Sequence, residues 1–228
     1  LLALLIRLEK LILDGRIHPG RIEEVYEKCR EDVEELIRES GSQAAFDLGI
    51  HDMAEPLLEH LGKLRFRTSY GQNLLVHSKE VGFLAGMMAE ELDMDVALAR
   101  RAGLLHDVAK ALDHDVGSDP VQASAALARK SGETSEVVEV IETHKQNQPG
   151  RSAVAILVES ANEISIHAEK RLEEGYDFFV TGHYHQAKEL SLKSGKLVIL
   201  GDWLSFFSYA KFDGQDLNLH YWVKDEAS

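Results

Sequence analysis

The chain has one cysteine, four prolines and no apolar run of membrane-spanning length. Each scarcity excludes a class of protein. A lone thiol, Cys29, cannot close an internal disulfide, which rules out the stapled secreted scaffolds and leaves no zinc-finger spacing. The longest apolar opening, Leu1 to Ile6, is broken by Arg7, far short of the ~18 residues a membrane helix needs. No basic stretch precedes it and no small-residue cleavage site follows, so it does not read as a signal peptide. The chain opens on Leu1 rather than Met, as a piece of a longer protein would. These features together suit a cytoplasmic protein. Positive charge is also scarce: 25 Lys and Arg against 39 Asp and Glu give a formal charge of −14. That argues against a broad electrostatic grip on nucleic acid, while a local basic patch is still compatible with it. With 44% apolar and 28% charged positions, the 228 residues suit a folded chain of one large or two small domains.

Most of the chain reads as helix. Leu5, Leu8 and Ile12, then Val25, Cys29, Val33, Leu36 and Ile37, recur at helical spacing with charges between them, and Gly15, Pro19 and Gly20 punctuate the first pair of helices. The acidic run from Ile22 to Glu39 reads as a solvated helix face. Further helices are predicted at Gln43 to Leu48, Ala54 to Leu61, Gly71 to Leu92, Val96 to Leu112, Val121 to Lys130, Ser135 to His144 and Ala153 to about Leu172. From Gly175 the pattern changes to strands. Tyr176 to Val180 and Leu197 to Leu200 are short apolar runs, while Ala210 to Phe212 and Leu217 to Val223 flank the hairpin signal Asp213-Gly214. The predicted class is mainly α, a helical bundle with a small C-terminal antiparallel β segment, α+β overall. No helix is predicted to cover that sheet, so it needs a partner surface for its edges.

Histidine carries the functional signal. His106-Asp107 sits in an apolar run, where a buried imidazole and carboxylate are costly unless something satisfies them. A divalent cation would, and nitrogen and oxygen donors together suit zinc, manganese, iron or magnesium. Lys110, one turn further on, can reach the same pocket. His77 on the preceding helix and His144 at the end of a later one complete the set from across a bundle.

Residues 14–19 (DGRIHP), 61–73 (LGKLRFRTSYGQN), 77–81 (HSKEV) and 101–114 (RAGLLHDVAKALDH) stand in an order that resembles the HD-type phosphohydrolase domain of bacterial ribonuclease Y, over residues 1–168. The resemblance implies an HD helical bundle, endonucleolytic cleavage of single-stranded RNA and a Mn²⁺, Mg²⁺ or Zn²⁺ cofactor. It implies His77, His106, Asp107 and His144 as metal ligands, with Asp107 and Lys110 as the catalytic pair. Asp107 would orient or deprotonate the attacking water, and Lys110 would steady charge on phosphorus. The family's membrane helix and KH RNA-binding domain are not expected within these residues, and a homodimer is compatible with the family. Three positions depart from the pattern. Asn162 stands where the family has its last aspartate ligand, Lys145 stands at the second histidine of a pair, and Pro120 beside Asp119 replaces another histidine. An amide is a weaker donor than a carboxylate, and Lys145 brings a cation to where a second metal would sit, so the site should bind one metal weakly. Adjacent Glu163 would point about 100° away from Asn162 on a helix and is a poor substitute. Lys63, Arg65 and Arg67 alternate around Leu64 and Phe66 and could track an RNA backbone, with Phe66 or Tyr70 for stacking.

Residues 175–185 (GYDFFVTGHYH), 197–203 (LVILGDW) and 208–210 (SYA) resemble the end of a calcineurin-like metallophosphoesterase, nearest to the hydrolases of UDP-2,3-diacylglucosamine. His183 and His185 would be two ligands of that family's bridged metals, and the rest of its motifs are lacking. The chain therefore divides into an HD domain at 1–168 and a metallophosphoesterase-like fragment at 175–228. Three functions follow: an RNA-cleaving phosphodiesterase with an impaired metal site, a phosphoesterase of nucleotide-sugar lipids, and a non-catalytic metal-binding or dimerisation module.

Overall fold

A computed structural model describes residues 19–69, 72–112, 119–146, 150–182, 187–192, 194–201 and 207–221. Seven helices and seven short strands are formed by these residues. The predicted helix through Leu5, Leu8 and Ile12 lies outside them. Helix α1 (Pro19–Asp47) is continuous through the segment predicted as a separate helix from Gln43, and its acidic residues Glu31, Asp32, Glu34 and Glu35 are solvated as expected. After α2 (Glu55–Leu64), the strands β1 (Thr68–Ser69) and β2 (Gln72–Asn73) make a minimal hairpin in place of the helical start predicted at Gly71. The Asn73 side chain then accepts from the backbone N–H groups of Leu75 and Val76 and caps α3 (Leu74–Glu91).

Helix α3 is buried nearly all round, as suits the central helix of a bundle. It packs on α4 (Val96–Leu105), whose Leu104 and Leu105 are fully buried, each contributing about 2 kcal/mol by leaving water. The two helices touch through glycine. A Cβ on Gly103 would lie 2.7 Å from the Gly82 Cα, and one on Gly82 would lie 2.8 Å from the Arg100 carbonyl oxygen. This backbone contact draws together the side chains on either side of it, His77 on α3 and His106 just past α4.

The helix predicted from Val96 to Leu112 ends at Leu105. His106 is its C-cap, Asp107 has left helical geometry, and Val108–Ala111 form a 3₁₀ turn. That turn is pinned where the Ala109 N–H donates to the Ser124 hydroxyl of α5 (Pro120–Lys130). Pro120 opens α5 behind the N-cap Asp119, a position where its missing N–H costs nothing. Arg101 of α4 donates to both carboxylate oxygens of Glu133 at 2.6 and 2.9 Å, fixing the turn that leads into α6 (Ser135–Thr143). Helix α7 (Ala153–Glu173) closes the bundle against α3.

The C-terminal strands are β3 (Phe178–Thr181), β4 (Lys188–Leu192), β5 (Gly195–Ile199), β6 (Ser208–Phe212) and β7 (Leu217–Tyr221). Two sequence expectations are corrected here. The sheet is mixed rather than antiparallel throughout: its order is β3-β5-β4, with β3 parallel to β5 and β4 antiparallel, while β6 and β7 form a separate hairpin. It also has a covering helix. Leu172 of α7 shares one buried cluster with Leu192, Leu197 and Ile199, because α7 runs to Glu173 and presents its last turn to the sheet. Lys196 Nζ ties the hairpin on through Asp216 Oδ2 at 2.8 Å and the Leu217 carbonyl at 2.9 Å.

Gly103→Ala is expected to lower unfolding free energy by about 1–3 kcal/mol, because only backbone atoms face the new methyl. Chemical denaturation checks this, and an unchanged midpoint would show that the helices part at no cost.

Candidate metal centre

Five buried polar side chains converge from four elements: His77 of α3, His106 and Asp107 at the end of α4, His144 capping α6, and Asn162 in the middle of α7. None exceeds 3% exposure. The His77 and His106 ring centroids lie 5.3 Å apart, and those of His106 and His144 lie 5.5 Å apart. The ligand atoms of His77, His106 and Asp107 all fall within 4.8 Å of one another.

The tautomers follow from the partners. His106 Nδ1 donates to the Gly103 carbonyl and His144 Nδ1 to the Ile141 carbonyl, both at 2.7 Å. The His144 ring, kept neutral by burial, therefore has a lone pair on Nε2, while His106 Nε2 lies 3.2 Å from Asp107 Oδ2. Those two Nε2 atoms and Asp107 Oδ1 are buried with no hydrogen-bond partner. Native interiors rarely leave such groups unsatisfied, which fits a cation supplied from solution to the His77, His106 and Asp107 trio, with His144 beside His106. The donor set, imidazole nitrogens with one carboxylate, is that of first-row divalent metals.

The chain already supplies some positive charge. Lys110 Nζ sits 2.6 Å from Asp107 Oδ2, and Lys145 Nζ sits 3.7 Å from Asp107 Oδ1. Burial alone would raise the Asp107 carboxyl, but the His106 ring, Lys110 and Lys145 outweigh it and hold the group well below the ordinary carboxylate range. Burial, helped by the neighbouring His106, pushes His77 down to about 3; burial likewise pushes His144 down to about 4. Both rings are neutral at pH 7, as metal ligands must be.

Asn162 faces His77, its side-chain amide 3.0 Å from Nε2. Pro120 is taken up with starting α5. Glu163 is exposed and lines a different recess with His167 and Phe179, as its rotation about the helix requires. A cavity of about 640 Å³ opens over the centre; besides His77, Asp107, Lys110, Lys145 and Asn162, its walls include Ser69 and Glu169. The proposed RNA track behaves differently from expectation. Arg65 donates to the Ser40 hydroxyl and Arg67 to the Ala111 carbonyl, and neither they nor Lys63 line the cavity. Tyr70, His183 and His185 lie outside the described residues.

Sequence reasoning missed the layer behind His77. Gln72, Glu80 and Ser165 are buried polar residues joined to it, and Glu169, also buried, accepts from the Ser194 hydroxyl. The signal was present: Ser165 and Glu169 lie three and seven positions after Asn162, on one helical face.

A bundle with a His-Asp pair at a helix end and histidines from two further helices defines a class, and a family model described as HD domain matches residues 74–189, which contain all five converging side chains. The chain belongs to the HD domain family. Its relatives include ribonuclease Y of Geobacter sulfurreducens, 51% identical over 160 residues covering 70% of this chain and 31% of that protein. Ribonuclease Y of Acetivibrio thermocellus is 54% identical over 160 residues, covering 70% and 30%. Ribonuclease Y of Nitratidesulfovibrio vulgaris is 43% identical over 199 residues, covering 83% and 38%. The chain spans about a third of the length of these curated relatives. No solved structure matches it. Family and kinship support a metal-dependent phosphohydrolase resembling ribonuclease Y. Among the described residues no helix is long and apolar enough to cross a membrane.

The depressed histidines predict a pH dependence. Between about pH 4.5 and 6.5 the unfolded chain protonates both His77 and His144 while the folded chain leaves them neutral. Glu80, raised to about 7 chiefly by burial, opposes this by holding a proton that the unfolded chain has lost. Two protons against one leaves the unfolded state with the excess, so stability falls with acidification by about 1 kcal/mol per pH unit. Melting of chelator-treated protein at pH 5 and 6.5 checks this. His144→Gln should flatten the dependence, and an unchanged slope in that variant would contradict the assignment.

Proposed function

We propose that this chain is the catalytic part of a ribonuclease Y-like enzyme that hydrolyses single-stranded RNA at one weakly held divalent cation. The observation that carries the reading is the grouping of the His77, His106 and Asp107 ligand atoms within 4.8 Å, with His106 Nε2, His144 Nε2 and Asp107 Oδ1 buried and without a hydrogen bond. His77, His106, Asp107 and His144 would hold the cation, with Asn162 as a weak fifth donor. When bound, a divalent cation supplies Lewis acidity toward a phosphoryl oxygen and acidifies water. The remaining chemistry belongs to the chain. Asp107, ionised through the pH range of the cell, accepts the proton of the attacking water. Lys110, held against Asp107, has two further N–H donors for phosphoryl oxygens as charge develops. Lys145 neutralises the other oxygen of Asp107, where a second cation would compete, and so favours a single metal.

RNA as substrate is supported by the ribonuclease Y relatives. Lys63, Arg65 and Arg67 are the proposed RNA contacts on the segment that runs to Ser69 at the cavity wall, with Tyr70, outside the described residues, as the stacking candidate. Location in the cytoplasm and a homodimer belong to the same reading. A division at 1–168 and 175–228 is proposed as one of ancestry, with α7 bridging it. Deletion of 175–228 should leave a cooperative melt at lower temperature, and loss of cooperativity would make the sheet integral to the bundle.

The resemblance of the C-terminal segment to a metallophosphoesterase of UDP-diacylglucosamine type is supported by β3, parallel to its neighbour and ending at Thr181, two residues before His183 in the sequence. A non-catalytic metal-binding module is supported by Asn162 and Lys145. Incubation with Mn²⁺ and single-stranded RNA separates the three. Slow cleavage abolished by His106→Ala, and raised at least about tenfold by Asn162→Asp, is expected. Activity on a nucleotide-sugar pyrophosphate that depends on His183 and His185 would favour the second reading, and silence from a folded chain the third.

A further inference from the structure

His106 and His144 sit at helix ends, where free carbonyls fix their protons on Nδ1. His77 has no such acceptor. It lies in the first turns of α3, whose carbonyls are committed to the helix. Its Nδ1 is instead 3.1 Å from the Ser165 hydroxyl of α7. Ser165 has one proton, and its nearest acceptor is Glu80 Oε2 at 2.6 Å. The Gln72 amide donates to that same oxygen and to the Ser165 oxygen, each at 3.2 Å, so Oε2 is the accepting oxygen of Glu80. With its proton directed at Glu80, the Ser165 oxygen can only accept from His77. All four groups are buried.

We infer that Ser165, oriented by Glu80 and Gln72, is a positioning residue that fixes the proton of His77 on Nδ1 and turns the Nε2 lone pair into the cavity. All three imidazoles then present the same atom to the centre, two by backbone carbonyls and one by a hydroxyl from another helix. Asn162 follows from this. Asn162 Oδ1 is placed 3.0 Å from Nε2, and since amide oxygen and nitrogen are told apart only by their hydrogen bonds, a proton on Nδ1 requires the Asn162 amide to be turned so that its Nδ2–H donates to Nε2. The functional consequence, and only that, rests on the metal-binding reading: partners of this kind typically change metal affinity by about 10–100-fold.

The test is long-range proton–nitrogen NMR of the full ¹⁵N-labelled chain, treated with chelator at pH 7, with His77 assigned through His77→Gln. A protonated Nδ1 and a pyridine-like Nε2 are expected. A protonated Nε2 would overturn the inference. In Ser165→Ala the proton should pass to Nε2, where Asn162 Oδ1 can accept it, and Mn²⁺ affinity measured by calorimetry should weaken at least tenfold. Ser165→Thr, which keeps the hydroxyl, should restore both. A Ser165→Ala chain that folds and keeps Nδ1 protonated would also overturn it. Should Ser165→Ala fail to fold, the wild-type spectrum decides. A wild-type chain with Nδ1 protonated that takes up no Mn²⁺ would uphold the positioning role and overturn the metal reading.

Discussion

The structure turns on an unfavourable arrangement: imidazoles and a carboxylate excluded from water, with His106 Nε2, His144 Nε2 and Asp107 Oδ1 left without a hydrogen bond. Such a cluster is costly to bury and survives only where the surrounding helices over-determine it. Here the determinants are specific. The Gly82–Gly103 contact brings α3 and α4 to backbone distance, and the carbonyls of Gly103 and Ile141 hold two of the rings. Ser124 and Arg101 pin the segments that carry Lys110 and lead into α6. The bundle acts as a frame that prevents the centre from relaxing into internal hydrogen bonds.

Two lysines define how this centre differs from one built for two metals. Lys110 and Lys145 both lean on Asp107, so the carboxylate is compensated before any cation arrives. Asn162 contributes a neutral group where a charged one would draw a metal more strongly. The frame is of HD type, and these three side chains carry the proposal of one weakly held cation.

Much of this was legible in the sequence. Helical periodicity located the start of α4 and the bounds of α5 through α7 to within a few residues, and the five converging residues were all named from it and from resemblance. What failed did so for local reasons. The break after Leu105 carries no glycine or proline stop signal, because it is set by the His106 ring competing for the Gly103 carbonyl that a continuing helix would use. The parallel pairing of β3 with β5 depends on α7 as the surface that orders the sheet, and strand patterns alone do not encode direction. The layer of Gln72, Glu80 and Ser165 was hidden because its members are distant in sequence. Each looks like an ordinary polar residue until the helices are packed.

The central claim is that the buried histidines and Asp107 share one cation. Anomalous diffraction from crystals of the chain grown with Mn²⁺ measures this directly. The account predicts a single Mn²⁺ peak per chain at bonding distance from Nε2 of His77 and His106 and from Asp107. Two metals there, or a peak remote from these three side chains, would contradict it.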